Sequence, residues 1–251
     1  TGGDWTGYSN TYEGCRSWNN SDDGYDTYSY KGIVTYNRCW SFANGYGTAG
    51  DGVAFKLGDV TGPPPDLTVR RTLSNCLGFK NRAGIDEGQE GTDGDCVSIN
   101  IYNNSFYDNY YRNYGFSAHE PTTGLIRIFN NLSYVDGEYG DAIRVDDQLT
   151  ATANSWQVAT VTDADFISVD TTGVSGARQS DGSLPIITFL HLVDGSDLKD
   201  AGTAVGVNTD ADGTTRGYLP DIGAYEIEDI RLLLINNKMV IVDDTVRTIR
   251  K

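Results

Sequence analysis

Long apolar runs are missing from this chain: no stretch is hydrophobic over the roughly 20 residues that a helix needs to span a bilayer, so membrane insertion is not expected. Positive charge is also scarce, with 19 Lys and Arg against 35 Asp and Glu and a formal charge of −16 over 251 residues. A protein that tracks nucleic-acid phosphates draws its affinity from clustered cations, and that class is excluded. An acidic polysaccharide would be repelled too, unless cations come between it and the protein. Leucine does not recur at fixed spacing, which removes a leucine-rich repeat, and a propeller would need four antiparallel strands per blade. Only four cysteines occur, Cys15, Cys39, Cys76 and Cys96. They could close two disulfides, but three sit at equivalent places in a repeat, where small thiols can simply stack. No secretory leader is read at its start, and because it opens on Thr1 instead of Met a mature or trimmed form is expected.

What the chain does hold is 30 Gly, 16 Tyr, eight Phe and four Trp, with abundant Asn, Asp, Ser and Thr. Glycine, Asn and Asp tolerate left-handed corners, and aromatics bury much area per residue, so many short strands joined by polar turns are expected. One pattern recurs. It reads Glu-Gly-Cys-Arg-Ser-Trp-Asn-Asn at 13–20, Asn-Arg-Cys-Trp-Ser-Phe-Ala-Asn at 37–44 and Ser-Asn-Cys-Leu-Gly-Phe-Lys-Asn at 74–81, with degenerate copies at 103–109 and 130–136. Anchored on Cys15, Cys39, Cys76, Asn104 and Asn131, the steps are 24, 37, 28 and 27 residues. A second element follows each anchor: Gly24-Tyr25-Asp26, Ala54-Phe55-Lys56, Gly84-Ile85-Asp86, Gly115-Phe116-Ser117 and Ala142-Ile143-Arg144. Coils that cannot bury an apolar face alone must stack, which predicts an all-β solenoid, a parallel β-helix. One domain is expected over 1–228, regular to about 156, with 163–186 a strand and an irregular excursion and 201–226 closing the lower end. Residues 229–251 read as a β-hairpin cap or tail.

Stacking turns spacing into geometry. Aligned elements place Asp26, Lys56, Asp86, Ser117 and Arg144 in one outward column, about 4.8 Å apart. Just before the first rung, Asp22, Asp23 and Asp26 crowd three carboxylates into five residues. An Asp-Gly turn in water would explain them. So would a cation, and calcium, a hard ion that accepts several carboxylates in flexible arrangements, suits them best. A lone surface lysine is ordinarily a solvated charge, but beside a divalent cation Lys56 would have its pKa lowered toward that of a general base. Its neighbours Asp26 and Asp86 oppose this until a cation or substrate neutralises them. Such a pair can remove the C5 proton of a uronic acid and expel the C4 oxygen. Asp86, Arg112 and Arg144 are the candidate substrate contacts.

These residues resemble the family 9 polysaccharide lyases, the pectate-lyase-like right-handed parallel β-helices. The resemblance is carried by Cys-Arg-Ser-Trp-Asn-Asn-Ser-Asp-Asp-Gly-Tyr-Asp at 15–26, Gly-Asp-Gly-Val-Ala-Phe-Lys-Leu-Gly at 50–58 and Asn-Cys-Leu-Gly-Phe-Lys-Asn-Arg-Ala-Gly-Ile-Asp at 75–86. It implies calcium on Asp22, Asp23 and Asp26, Lys56 as the base, an acidic plant-type polysaccharide as substrate, and a secreted or cell-surface monomer. The family commonly has Gly where Ala54 stands. Its further calcium ligand lies about one coil upstream of Asp22, before Thr1, so N-terminal coils are expected to be missing or calcium binding weakened. Two other readings stay open. A β-helical glycoside hydrolase needs paired carboxylates as acid and base, although neither His119 nor His191 falls in a repeated column. A non-catalytic polysaccharide-binding or adhesin solenoid would use the same ladder as a binding face.

Overall fold

Alternating inward and outward side chains along Ile33–Asn37, Ser98–Tyr102 and Ile126–Phe129 make half-buried strands that need a neighbour on each edge. The structure, a computed structural model, describes residues 8–28, 30, 32–47, 50–58, 68–86, 98–116, 125–135, 137–138, 140–141 and 149–228, and the backbone of 230–235 and 238–243. The first coil holds β1 (Ser9–Glu13), β2 (Arg16–Trp18) and β3 (Tyr25–Asp26), and the second β4 (Ile33–Asn37), β5 (Trp40–Phe42) and β6 (Val53–Lys56). The third holds β7 (Val69–Ser74), β8 (Leu77–Phe79) and β9 (Ala83–Asp86), and the fourth β10 (Ser98–Tyr102), β11 (Ser105–Tyr107) and β12 (Tyr114–Gly115). Then come β13 (Ile126–Phe129), β14 (Leu132–Tyr134), β15 (Leu149–Thr152) and the short helix α1 (Ser155–Val158). They stack into three parallel sheets, ordered β1-β4-β7-β10-β13-β15, β2-β5-β8-β11-β14 and β3-β6-β9-β12. Strands rejoining the same sheet in parallel cross over right-handedly. The fold is a right-handed parallel β-helix.

The anchors align as their spacing predicts: Arg16, Trp40, Leu77, Ser105 and Leu132 share one register, which puts Cys15, Cys39, Cys76, Asn104 and Asn131 in a column. The three described cysteines are free thiols, and Cys39 N donates to Cys76 Sγ at 3.3 Å. Cys96 lies outside the described residues. Further along, Asn104 Nδ2 donates to Asn131 Oδ1 at 2.9 Å and Asn131 Nδ2 to Asn154 Oδ1 at 3.0 Å, each also serving backbone groups inside the corner. A second ladder runs through Asn20, Asn44, Asn81 and Asn109. The residue before each rung is left-handed, as at Arg38, Asn75, Asn103, Asn130 and Ala153 for the first ladder and Asn19, Ala43, Lys80 and Asp108 for the second. The ladders satisfy polar groups that bending the backbone would otherwise bury unpaired.

Inside, Tyr36, Leu73, Ile101 and Ile128 form one buried column, and Phe55 stacks on Tyr25 at 5.0 Å. The middle strands behave differently. Ser17, Ser41, Gly78 and Ser133 take the inward register, shared with the buried Phe106 of β11, while Trp40, Phe42, Leu77, Phe79 and Leu132 point out and pack against Phe166, Phe189, Leu190, Leu198 and Tyr225. The chain after α1 therefore runs back along the flank. Arg16 Nη1 donates to Val174 O and Gly176 O, Arg38 Nε to Asp210 O, Asn103 Nδ2 to Asp221 O and Asn130 Nδ2 to Thr203 O. Two expectations are corrected here. Residues 201–226 cover corners of successive coils instead of closing an end. Within 163–186 a 3₁₀ turn at Asp163–Asp165 and isolated bridges replace a strand, since corner side chains, not a further coil, receive this backbone. At the C-terminal end, β16 (Ile230–Ile235) and β17 (Lys238–Asp243) pair antiparallel as a hairpin.

An ionic network holds the flank in place. The Arg216 side chain, 1% exposed, donates to Glu226 Oε2 at 2.9 Å, to Asn75 Oδ1 at 2.9 Å and to Gly223 O and Ala224 O. Nearby, Asp221 accepts N–H groups from Asp200 and Ile227, and burial pushes its carboxyl up to about 7. Asp210 and Glu226 are raised for the same reason. An unfolded Asp titrates near 3.9, so the folded state holds this proton more tightly and its ionisation costs stability. Stability is therefore expected to be greatest at the acid side of this window and to fall between about pH 4 and pH 7, by at most about 4 kcal/mol for Asp221. Urea unfolding at pH 5 and pH 8 checks this, with the higher midpoint expected at pH 5.

Candidate active site

The third sheet sets the outward column by register: Asp26 opposes Lys56, Lys56 opposes Asp86, and Asp86 opposes Gly115. The first three rungs are those the sequence predicts. The fourth is corrected, since Gly115 takes the place expected for Ser117. A slip of two residues keeps every side chain on its face, and Phe116 stays buried. Ser117, Arg144 and His119 lie outside the described residues. Arg112 reaches the same face, because a Cβ on Gly115 would come within 2.8 Å of Arg112 Cδ. His191 is away on the flank, 2.9 Å from Asp212 and stacked on Tyr225.

Around Lys56 the turns supply the charge. Asp22 Oδ1 accepts Asp51 N–H at 2.9 Å, Asp23 Oδ1 accepts Val53 N–H at 2.7 Å and Asp26 Oδ1 accepts Tyr28 N–H at 2.7 Å. Each aspartate thus fixes one oxygen on backbone. The Asp23 side chain is 3% exposed, and its Oδ2, without a hydrogen bond, lies 3.5 Å from Lys56 Nζ. A fourth carboxylate, Asp51, pairs with Lys56 Nζ at 2.6 Å. Gly50 and Gly52, both at positive φ, flank it, and a Cβ on Gly50 would strike Asp22 Oδ1 at 2.3 Å. Only glycine lets the two turns approach so closely. The Tyr28 ring closes the other side, 5.6 Å from Nζ.

Burial, with the charges of Asp22 and Asp26 adding to it, raises the Asp23 carboxyl above its usual range. For Lys56, burial pulls downward, but the Asp51 hydrogen bond and the charges of Asp23, Asp51 and Asp26 outweigh it and hold the ammonium above its ordinary pKa. Lys56 is the counter-ion of this cluster. Among the described residues no three carboxylate, thiol or imidazole groups are gathered into a ready metal cage. The donor chemistry still fits a hard cation: carboxylate oxygens only, one of them buried and without a hydrogen bond.

Two residues here escape the repeat pattern. Asp51 sits on a loop between strands, where only the Gly-Asp-Gly sequence hints at a tight turn. Arg71 occupies an inward position in register with Val34 and Ile99, beside a bulge at Arg70. Fully buried, it donates to Thr27 O, Gly32 O, Tyr30 O and Leu57 O. These carbonyls follow Asp26 and Lys56 in the chain, so the guanidinium fastens the segments behind the column. Burial lowers its pKa to about 10.

Residues 4–131, which carry every feature of this column up to Arg112, match the model of the Pel9A-like right-handed β-helix region. The chain belongs to that family. This Pel9A-like chain is 31% identical over 227 residues to pectate lyase L of Dickeya chrysanthemi, covering 88% of the chain and 48% of the relative. It is 27% identical over 219 residues to pectate lyase PEL9 of Emericella nidulans, covering 77% and 50%. The crystal structure of pectate lyase Pel9A superposes with a TM-score of 0.69 at 29% identity, over 86% of this chain and 50% of that one. A rhamnogalacturonan lyase structure gives 0.52 at 25% identity, over 73% and 47%. The Pel9A-like chain thus spans about half the length of the curated relatives it matches.

Proposed function

We propose that this chain carries the catalytic face of a polysaccharide lyase that cleaves a uronic-acid polymer, a pectate or rhamnogalacturonan-like chain, by calcium-assisted β-elimination outside the cell. The observation that carries the reading is Lys56 on the outward column between Asp26 and Asp86, beside the buried Asp23 oxygen. The names of its relatives support it.

Lys56, as the free amine, takes the C5 proton of a bound uronate. The electrons of that C–H bond form the C4=C5 double bond, the C4–O bond breaks, and the departing oxygen takes a proton from water. Asp22, Asp23 and Asp26 would hold calcium, which would supply positive charge that acidifies the C5 proton through the neighbouring sugar carboxylate. Asp23 and Asp26 hold Lys56 protonated, and a cation on them would offset that charge. Asp51, the remaining partner, is on an exposed turn that can yield to substrate. Asp86 and Arg112, on the same face as Lys56, are the substrate contacts, and Arg144, the further candidate, lies outside the described residues.

Incubation with polygalacturonate tests the reading. Calcium is expected to promote growth of ultraviolet absorbance from an unsaturated product. Chelation is expected to slow it by about a hundredfold or more, since a bound cation contributes several kcal/mol to such a step. Reducing ends without absorbance would mean hydrolysis, and binding without cleavage would mean a carbohydrate-binding solenoid; either result rejects the lyase.

A further inference from the structure

One coil beyond Lys56, the corner leading into β9 carries a second cation on the same side of the molecule. Arg82 N donates to Asn44 O and Tyr111 N to Arg82 O, which stacks three successive corners. The Arg82 side chain does not pair with a carboxylate among the described residues. Its Nη1 donates to Gly50 O at 2.9 Å and its Nη2 to the Tyr111 hydroxyl at 3.0 Å, with the guanidinium 5.1 Å from the centre of the Tyr111 ring. Tyr110, 57% exposed, meets Tyr111 edge-on at 4.9 Å.

A guanidinium has five N–H donors in one plane. Two are used here on neutral acceptors, which leaves Nε–H and one N–H on each terminal nitrogen for a planar anion. The plane is already fixed by a ring and two hydrogen bonds, so little side-chain freedom remains to be lost on binding. The adjacent exposed tyrosine offers an apolar face of the kind on which the C–H side of a sugar ring packs. We infer that Arg82, set by Tyr111 and Gly50, is a specificity-determining residue that grips the carboxylate of a uronate one sugar away from the bond being cleaved. The inference rests on the lyase reading for the position of that bond, but the binding it describes stands apart from catalysis.

The test is calorimetric binding of oligogalacturonate, and of the same oligomer as its methyl ester, in the presence of chelator. Wild type is compared with Arg82→Gln and Arg82→Lys, with circular dichroism as the check on folding. Arg82→Gln is expected to weaken binding of the acid oligomer by about tenfold or more, as loss of a charge-assisted pair does, while the ester is held unchanged. Arg82→Lys should restore part of the loss. Equal affinity of wild type and Arg82→Gln for the acid oligomer would overturn the inference, as would equal losses on acid and ester. Absence of lysis in the wild type with Arg82-dependent binding intact would reject the lyase and keep this subsite.

Discussion

Replacing Lys56 with arginine is expected to lower the rate of unsaturated-product formation by roughly a thousandfold while the protein stays folded, since general-base catalysis is worth about 10²–10⁴. Arginine keeps a positive charge beside Asp23 and Asp51, so the ion pairs at 3.5 and 2.6 Å have a replacement partner. It cannot serve as a base, because a guanidinium does not lose its proton near neutral pH. Alanine should abolish activity as well, with a second effect. It strips the one cation paired, among the described residues, with a carboxylate that is 3% exposed, and leaving such a charge uncompensated is costly. Lys56→Ala should therefore be less stable than Lys56→Arg in chelator, and calcium should narrow the difference. Retained lysis in Lys56→Arg would remove the base assignment.

The second large effect concerns stability. Arg216→Met is expected to cost about 3–5 kcal/mol at pH 8, the usual penalty for breaking a buried pair from one side. Arg216 bridges Glu226, whose side chain is 4% exposed, to Asn75 at the corner of the third coil and to two carbonyls of the flank. Methionine fills much of the space and takes none of these bonds. At pH 5 the loss should shrink, because Glu226, already raised by burial, can take up a proton in place of its partner. Urea midpoints of wild type and variant at both pH values measure it. A variant as stable as wild type at pH 8 would mean that the Arg216 bonds do not hold residues 201–226 on the coils.

Much of the β-helix can be read from residue types because each coil repeats the same local requirements. A left-handed corner calls for Asn or a tolerant residue, the next position turns a small polar group inward, and a large apolar side chain follows. Cys15, Cys39, Cys76, Asn104 and Asn131 are legible for that reason, as are the rungs Asp26, Lys56 and Asp86. The fourth rung is missed because Tyr114-Gly115 and Phe116-Ser117 satisfy the same alternation, and period two cannot tell them apart. The flank is misread because Trp40, Phe42 and Phe79 look like interior residues whichever face they occupy. They are buried, but by a returning chain whose backbone meets the coils through single side chains such as Arg16 and Asn130. Asp51 and Arg82 lie at loop and corner positions, where stacking of coils brings together residues that no spacing rule connects.

Mass analysis of the products from a defined oligogalacturonate, cleaved by this chain in calcium, tests the central claim most directly. Elimination splits the oligomer without adding water, so the fragment from the new non-reducing end should be one water lighter than its saturated counterpart, and Lys56→Arg should yield none of it. Saturated fragments alone, or unsaturated ones from the Lys56→Arg protein at the wild-type rate, would contradict the account.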